Sequence, residues 1–520
     1  MFYKNRKFVV VLFLLATMGL MVACAGTAKP SPTPVAAVAP TATTPADVGA
    51  KIEGKPFAGI TINLFTQQEG GLAIYEPLKR RAPDFEALTG AKVNVIGKPF
   101  GEMYQEILTD LKSGTHKYDA YVYAPQWMPD FVPYLTDLTD MVAADEAIKW
   151  EDIAPFFRNS SATYGGRIYT IPLDGDFLMA YYRKDVLEKA GLKPPNTWQE
   201  YLEVAAAMHG KDFNGDGEPD YGSCIGKAHH YKAYAMFGSI AVSFLQSQGT
   251  AQGAFFDPET MKPLTNNEAF AKALDIYKET AKYGPPNELE LSDNDVRVSL
   301  FASGRCALTI DWGDTGTRSA APDSKVKDKV GTIILPGSAE VLNRATGKLM
   351  PCDKQSCPFA IGGINHAPYA AFGGWSGGVN RSSAPESQKA AYAFLSYVSQ
   401  PAQSNVDVTI GKTGFNPYRI SQFMNRQIWV EAGMSPASAT DYLVAIQTSL
   451  SVPNMVLDLR LPENYRYQTA LDEVLYQFSG NQVNRDEAMK RISDEWEKIT
   501  TELGPDKQLK IYRETLGVSK

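Results

Sequence analysis

From residue 60 onward the chain alternates short strand-type patterns with longer helical ones, and that alternation restricts it to folds built on a largely parallel sheet. Ile60, Ile62 and Leu64 alternate as a strand does, and residues 72–88 read as a helix stopped by Gly90, a natural C-terminal cap. A second strand is predicted over 92–96. Met103, Tyr104, Ile107, Leu108 and Leu111 then mark the buried stripe of a second helix, and a third strand over 120–123 follows Ser113-Gly114. Such β-α-β-α-β units pack with right-handed crossovers and collect ligands at the carboxyl ends of their strands. Two polar loops fall at those ends: Thr66-Gln67-Gln68-Glu69 and Ala124-Pro125-Gln126-Trp127.

The roughly 465 residues beyond the N-terminal region exceed what one core usually organises, so two domains are expected. The net charge of −7 and the absence of a Lys/Arg stripe interleaved with aromatics speak against nucleic acid as a partner. No P-loop is present, which argues against an ATPase.

Residues 1–23 read as a leader: Lys4, Arg6 and Lys7 precede an apolar run from Phe8 to Ala23 that ends at Cys24. This is the outline of a bacterial lipoprotein signal with Cys24 as the lipid-bearing residue, although Met21 stands where Leu is commoner. The competing reading is an uncleaved anchor, but the run is shorter than the roughly 18–20 apolar residues that span a bilayer comfortably. Residues 24–55 then form a Pro/Ala/Thr-rich tether with almost nothing large to bury. Both readings place the body outside the cytoplasm, lipid-anchored to the cell membrane if the signal is cleaved. Cys224, Cys306, Cys352 and Cys357 remain, an even number that suits an oxidising compartment and allows three pairings. The loop between Cys352 and Cys357 is short enough to close locally, which leaves Cys224 with Cys306; buried free thiols are the alternative.

Several segments, taken in order, resemble a known family. They are the opening strand and its polar loop, Tyr164 to Pro172 (YGGRIYTIP), Ala180 to Leu187 (AYYRKDVL), Asn196 to Tyr201 (NTWQEY), Leu300 to Thr309 (LFASGRCALT), and Gly373 to Asn380 (GGWSGGVN). Order and spacing resemble the sugar-binding, maltose-binding-protein-like solute-binding proteins that feed ABC importers, and the likeness runs over about residues 56–500. The resemblance implies an α/β, two-lobed periplasmic-binding-protein-like fold with hinge strands and a ligand cleft between the lobes. It implies a first lobe of 56–175 plus about 372–425 and a second of 176–371 plus about 426–520. The chain then crosses near Asp174 and Asp176 and returns near Gly374. It also implies a monomeric receptor, needing no cofactor, that closes on a carbohydrate or polyol and delivers it to a membrane permease. A helix capped by Ser383 and buried through Ala391, Phe394, Leu395 and Val398 is expected to be structural.

Sugar recognition requires flat aromatic faces for the C–H side of a ring and planar amides, carboxylates or Arg for hydroxyls. The hydrogen-bonding candidates are Gln67, Gln68, Gln126, Asp174, Asp176 and Arg419; the stacking candidates are Trp127, Trp312, Trp375 and Phe415, with Tyr234 as an addition. Asp212, Asn214, Asp216, Glu218 and Asp220 lie in a D-x-N-x-D-G pattern that would suit a structural Ca2+, but Ser223 stands where an EF-hand places its bidentate Glu. The same residues are plain turn formers.

Two rival functions remain. Gly374-Trp375-Ser376-Gly377-Gly378 fits the G-x-S-x-G elbow of α/β-hydrolases, yet the last histidine, His366, precedes the serine and no downstream base completes a triad. A glycosidase needs two carboxylates across a bond, whereas Asp174 and Asp176 sit on one segment. A cell-surface lectin-like module is the other alternative.

Overall fold

The computed structural model describes residues 54–69, 74–230, 232–411 and 413–518; the leader, Cys24 and the tether up to residue 53 lie outside them. Two separate sheets organise the chain. The first has the order Lys92–Lys98, Thr61–Gln67, Ala120–Tyr123, Ser376–Val379, Thr170–Pro172. Its three leading strands run parallel, with Ile62 beside Val93 and Leu64 beside Ala120, and Ser376–Val379 is antiparallel to both its neighbours. Ile62, Leu64 and Phe65 are all buried, so successive residues of the first strand lose water on both faces, as in other covered parallel sheets.

The crossovers follow the sequence pattern. Helix Tyr75–Thr89 ends at Gly90 and helix Phe100–Ser113 at Gly114, both glycines left-handed with φ of 78° and 65°. Met103, Tyr104, Ile107 and Leu111 are buried, and Leu108 packs at the margin. Helix Pro385–Ser399 buries Ala391, Phe394, Leu395 and Val398 as expected. Its start differs, because Ala384 occupies the N-cap and no side chain caps it; Pro385 in the first turn leaves one fewer amide to satisfy.

The second sheet has the order Val330–Ile333, Met179–Arg183, Cys306–Asp311, Tyr221–Cys224. Helix Ala233–Leu245 is buried along its whole length and packs against helices Glu268–Thr280 and Asn464–Ser479. Cys224 pairs with Cys306 and Cys352 with Cys357, at Cα separations of 6.0 and 5.4 Å. No described helix is long and apolar enough to cross a membrane.

Three segments carry the chain between the sheets, and they lie side by side. Leu173 N donates to Trp375 O at 2.9 Å, Leu178 N to Tyr369 O at 3.1 Å, and Gly175 N to Asn416 O at 3.2 Å. Gly374 has φ of 87°, and a Cβ added there would sit 2.1 Å from the carbonyl oxygen of Asp174. Only glycine permits that approach.

Candidate ligand-binding site

A cavity of about 50 Å³ opens where the two sheets meet the crossing segments. The first sheet contributes Gln67 from the end of the strand Thr61–Gln67 and Glu69 from the loop after it; Asp176 and Trp375 come from the crossings; Trp312 and Asp314 follow the strand Cys306–Asp311. Lys232, Asn294 and Arg297 complete the polar wall. Gln67 Nε2 donates to Glu69 Oε2 at 2.5 Å, which orients both side chains.

Burial governs the acids. Asp176 Oδ1 accepts from Asn416 Nδ2 at 2.9 Å, and Asp174 accepts the backbone amide of Asn416. Desolvation raises Asp174 to about 7 against the pull of that amide. It raises Asp176 well above the usual carboxylate range, with the Asp174 charge adding to the effect. Two adjoining carboxyls in such surroundings resist ionising together.

Arg297 is tied down by acids. It binds Asp311 in a fork, Nε to Oδ2 at 2.9 Å and Nη2 to Oδ1 at 2.8 Å, and also holds Asp314. Burial still lifts Asp314 to about 6 in spite of that guanidinium. Lys232 sits 3.6 Å from Asp293, with its ammonium 5.2 Å from the Phe100 ring, 4.9 Å from Trp312 and 5.1 Å from Phe372. An ammonium among three ring faces gains from each quadrupole. Trp312 lies parallel to Phe372 at 5.3 Å. Its Nε1 and the Oδ1 of Asn294 find no hydrogen-bond partner among the described residues.

Of the residues singled out in the sequence, the structure brings Gln67, Asp176, Trp312 and Trp375 to the cavity and sets Asp174 directly behind. The others go elsewhere. Gln68 is exposed, its side chain lying over Gly97. Trp127 is buried one ring away, stacked on Phe100 at 5.5 Å, where it backs the cage instead of lining the cavity. Gln126 and Tyr234 bond to each other at 3.4 Å in the interior. Phe415 is buried beside Gly414, which does reach the wall. Arg419 is wholly buried, and its guanidinium is spent on the main-chain oxygens of Ser399, Ile148 and Lys149 and on Asp152. That arrangement makes it a structural clasp. Lys232, Asn294, Arg297 and Asp314 escaped the sequence reading, and Glu69 entered it only as the end of a candidate loop; Asp314, two residues beyond Trp312, carried a usable signal.

The D-x-N-x-D-G loop is closed by its own hydrogen bonds. Asp212 accepts from Gly215 N and Gly217 N, Asp220 from Phe213 N and Asn214 N, and Arg305 Nη1 reaches Asp216 at 2.8 Å. A Ca2+ ion there would have to displace that guanidinium. Ser376, the serine of the hydrolase-like elbow, is buried in a strand of the first sheet with no hydrogen-bond partner for its hydroxyl among the described residues.

Comparison with known proteins agrees with this layout. Residues 66–404 match the model of the bacterial extracellular solute-binding protein family. The chain belongs to that family. This solute-binding protein is 32% identical over 198 residues to the mannitol-binding protein of Pseudomonas aeruginosa, a match covering 37% of the chain and 42% of the relative, so it spans less than half of that relative's length. Among solved structures, the solute-binding protein of Agrobacterium radiobacter K84 in complex with ribitol superposes with a TM-score of 0.70 at 21% identity, covering 86% of this chain and all of the other. The maltose-bound MalE3 of T. maritima gives 0.67 at 22% identity, covering 85% and 100%. The fold is therefore the two-lobed one, and the family is one of receptors and not of enzymes.

Proposed function

We propose that this protein is the extracytoplasmic receptor of an ABC importer and that it captures a small polyol or monosaccharide between two lobes, without changing it chemically, for delivery to a membrane permease. The lobes are 56–175 with about 372–425, and 176–371 with about 426–520. The observation that carries the reading is the cavity at the three crossings, walled by both sheets and holding buried polar atoms without partners among the described residues. Its volume of about 50 Å³ corresponds to about four water molecules. The lobes must part to admit a solute, since even a short alditol is larger than this space. Solute that touches both lobes binds the closed state better and shifts the population toward it. Gln67, Glu69, Asp176, Asn294 and Asp314 would take hydroxyls, and Trp312 and Trp375 the C–H faces. The names of the relatives, which include mannitol and ribitol binders, support the same class. The receptor is monomeric in this reading and tethered through a lipid on Cys24.

The test is a thermal-shift screen over alditols, monosaccharides, disaccharides, maltodextrins and phosphorylated polyols. Ligand that binds only the folded state raises its melting temperature. Alditols or monosaccharides are expected to give the largest shifts, abolished by Trp312→Ala, with the ligand recovered unaltered. Shifts confined to maltodextrins or phosphorylated compounds, or a consumed ligand, would overturn the proposal.

A further inference from the structure

A second group of chemically active side chains lies outside the ligand cavity. His229, His230 and Glu473 each present a ligating atom, and these three atoms lie within 4.8 Å of one another. Two of the chain's five histidines are thus placed side by side. We infer that His229, His230 and Glu473 form a binding site for a divalent transition-metal ion of the Zn2+ type.

The geometry is close to what such an ion requires. Bonds of about 2.05 Å in a tetrahedron set ligand atoms about 3.4 Å apart, so the 2.7 Å Nε2–Oε2 pair must open slightly and the more distant atoms draw in. The imidazoles lie face to face at 3.6 Å with their lone pairs side by side, so the exposed His230 ring must swing out of the stack to aim at the ion. His229 is fixed by stacking on Tyr476 at 4.1 Å and by a 2.7 Å hydrogen bond between its Nε2 and Glu473 Oε2. A metal would take the place of the proton in that bond, since both groups ligate in their deprotonated forms.

The supporting contacts point the same way. Gln477 Nε2 donates to the other oxygen of Glu473 at 2.7 Å, and Arg491 in turn holds Gln477 at 3.0 Å. Outer contacts of this kind orient ligands in metal sites. His230 adopts φ of 58°, a left-handed conformation that His, like Asn and Asp, takes more readily than most side chains. The turn is kept by the Asp472 carboxylate, which accepts the His230 amide. Ring stacking alone would account for His229 on Tyr476. It would not account for a second imidazole converging on a carboxylate that Gln477 already holds in place. Two imidazoles with one carboxylate select a transition ion over Ca2+ or Mg2+, which prefer all-oxygen shells, and leave a fourth position for water.

The experiment titrates Zn2+ alone into the full chain, without sugar, by calorimetry, with thermal unfolding recorded on the same samples. One equivalent is expected to bind. His229→Ala and Glu473→Gln should each weaken it more than about tenfold, while the double variant His116→Ala/His209→Ala binds as the natural chain does. Glu473→Gln keeps the side chain's shape, and an unchanged metal-free melting temperature separates loss of a ligand from loss of fold. Absence of saturable binding, or binding retained in either single variant, overturns the inference.

Discussion

Asp174 and Asp176 place two carboxyls side by side in the interior, where desolvation outweighs the nearby Lys232 charge. An acid near 3.8 in the unfolded chain that rises to about 7 on folding holds its proton longer in the native state. Stability of the unliganded protein should therefore fall as pH rises from about 4 to about 7, at about 1.4 kcal/mol per pH unit for each proton so retained. Asp176→Asn should flatten that slope by about one proton, measured by urea denaturation at pH 4.5 and 7, and should weaken ligand binding. An unchanged slope would show that the pair does not titrate in this window. The residue scale is also where the sequence was least legible. Trp127 and Arg419 have the chemistry of sugar contacts, yet one packs on Phe100 and the other fastens main-chain oxygens. The same side chain serves a core or a cleft, and only tertiary contacts decide which. Lys232 and Arg297 went unnoticed for the converse reason: the i,i+4 spacing of Asp293 and Arg297 reads as an ordinary helix pair, and the partners Asp311, Asp314 and Trp312 are brought up only by folding.

At the level of elements much more was legible, because burial periodicity and glycine stops are local. The helices ending at Gly90 and Gly114, the third strand and the buried stripe of Pro385–Ser399 all fall where the pattern places them. The crossing segments were legible as positions near Asp174 and Gly374, but their lateral hydrogen bonding to a third passage through Asn416 was not. Gly374 offers a clean test. Gly165 is also left-handed, with φ of 56°, but has open space around it, whereas a Cβ on Gly374 meets the Asp174 carbonyl. Gly165→Ala should cost about 1–2 kcal/mol for backbone conformation alone. Gly374→Ala should cost clearly more, about 3 kcal/mol or above. Chemical denaturation compares the two, and equal losses would mean that the close approach is unimportant.

For the whole molecule, the proposed function makes tethering and capture separable. If Cys24 carries the lipid as proposed, Cys24→Ser should release the protein from membranes into the soluble fraction and leave solute affinity within about twofold. Retention at the membrane would show that another segment anchors it. The three crossings have a mechanical consequence as well. A single connecting strand would let two bodies swivel freely, but a three-ply ribbon joined edge to edge resists shear and torsion and leaves one easy bend. In the proposed receptor, that restriction would keep the two walls of the cavity in one register as they part.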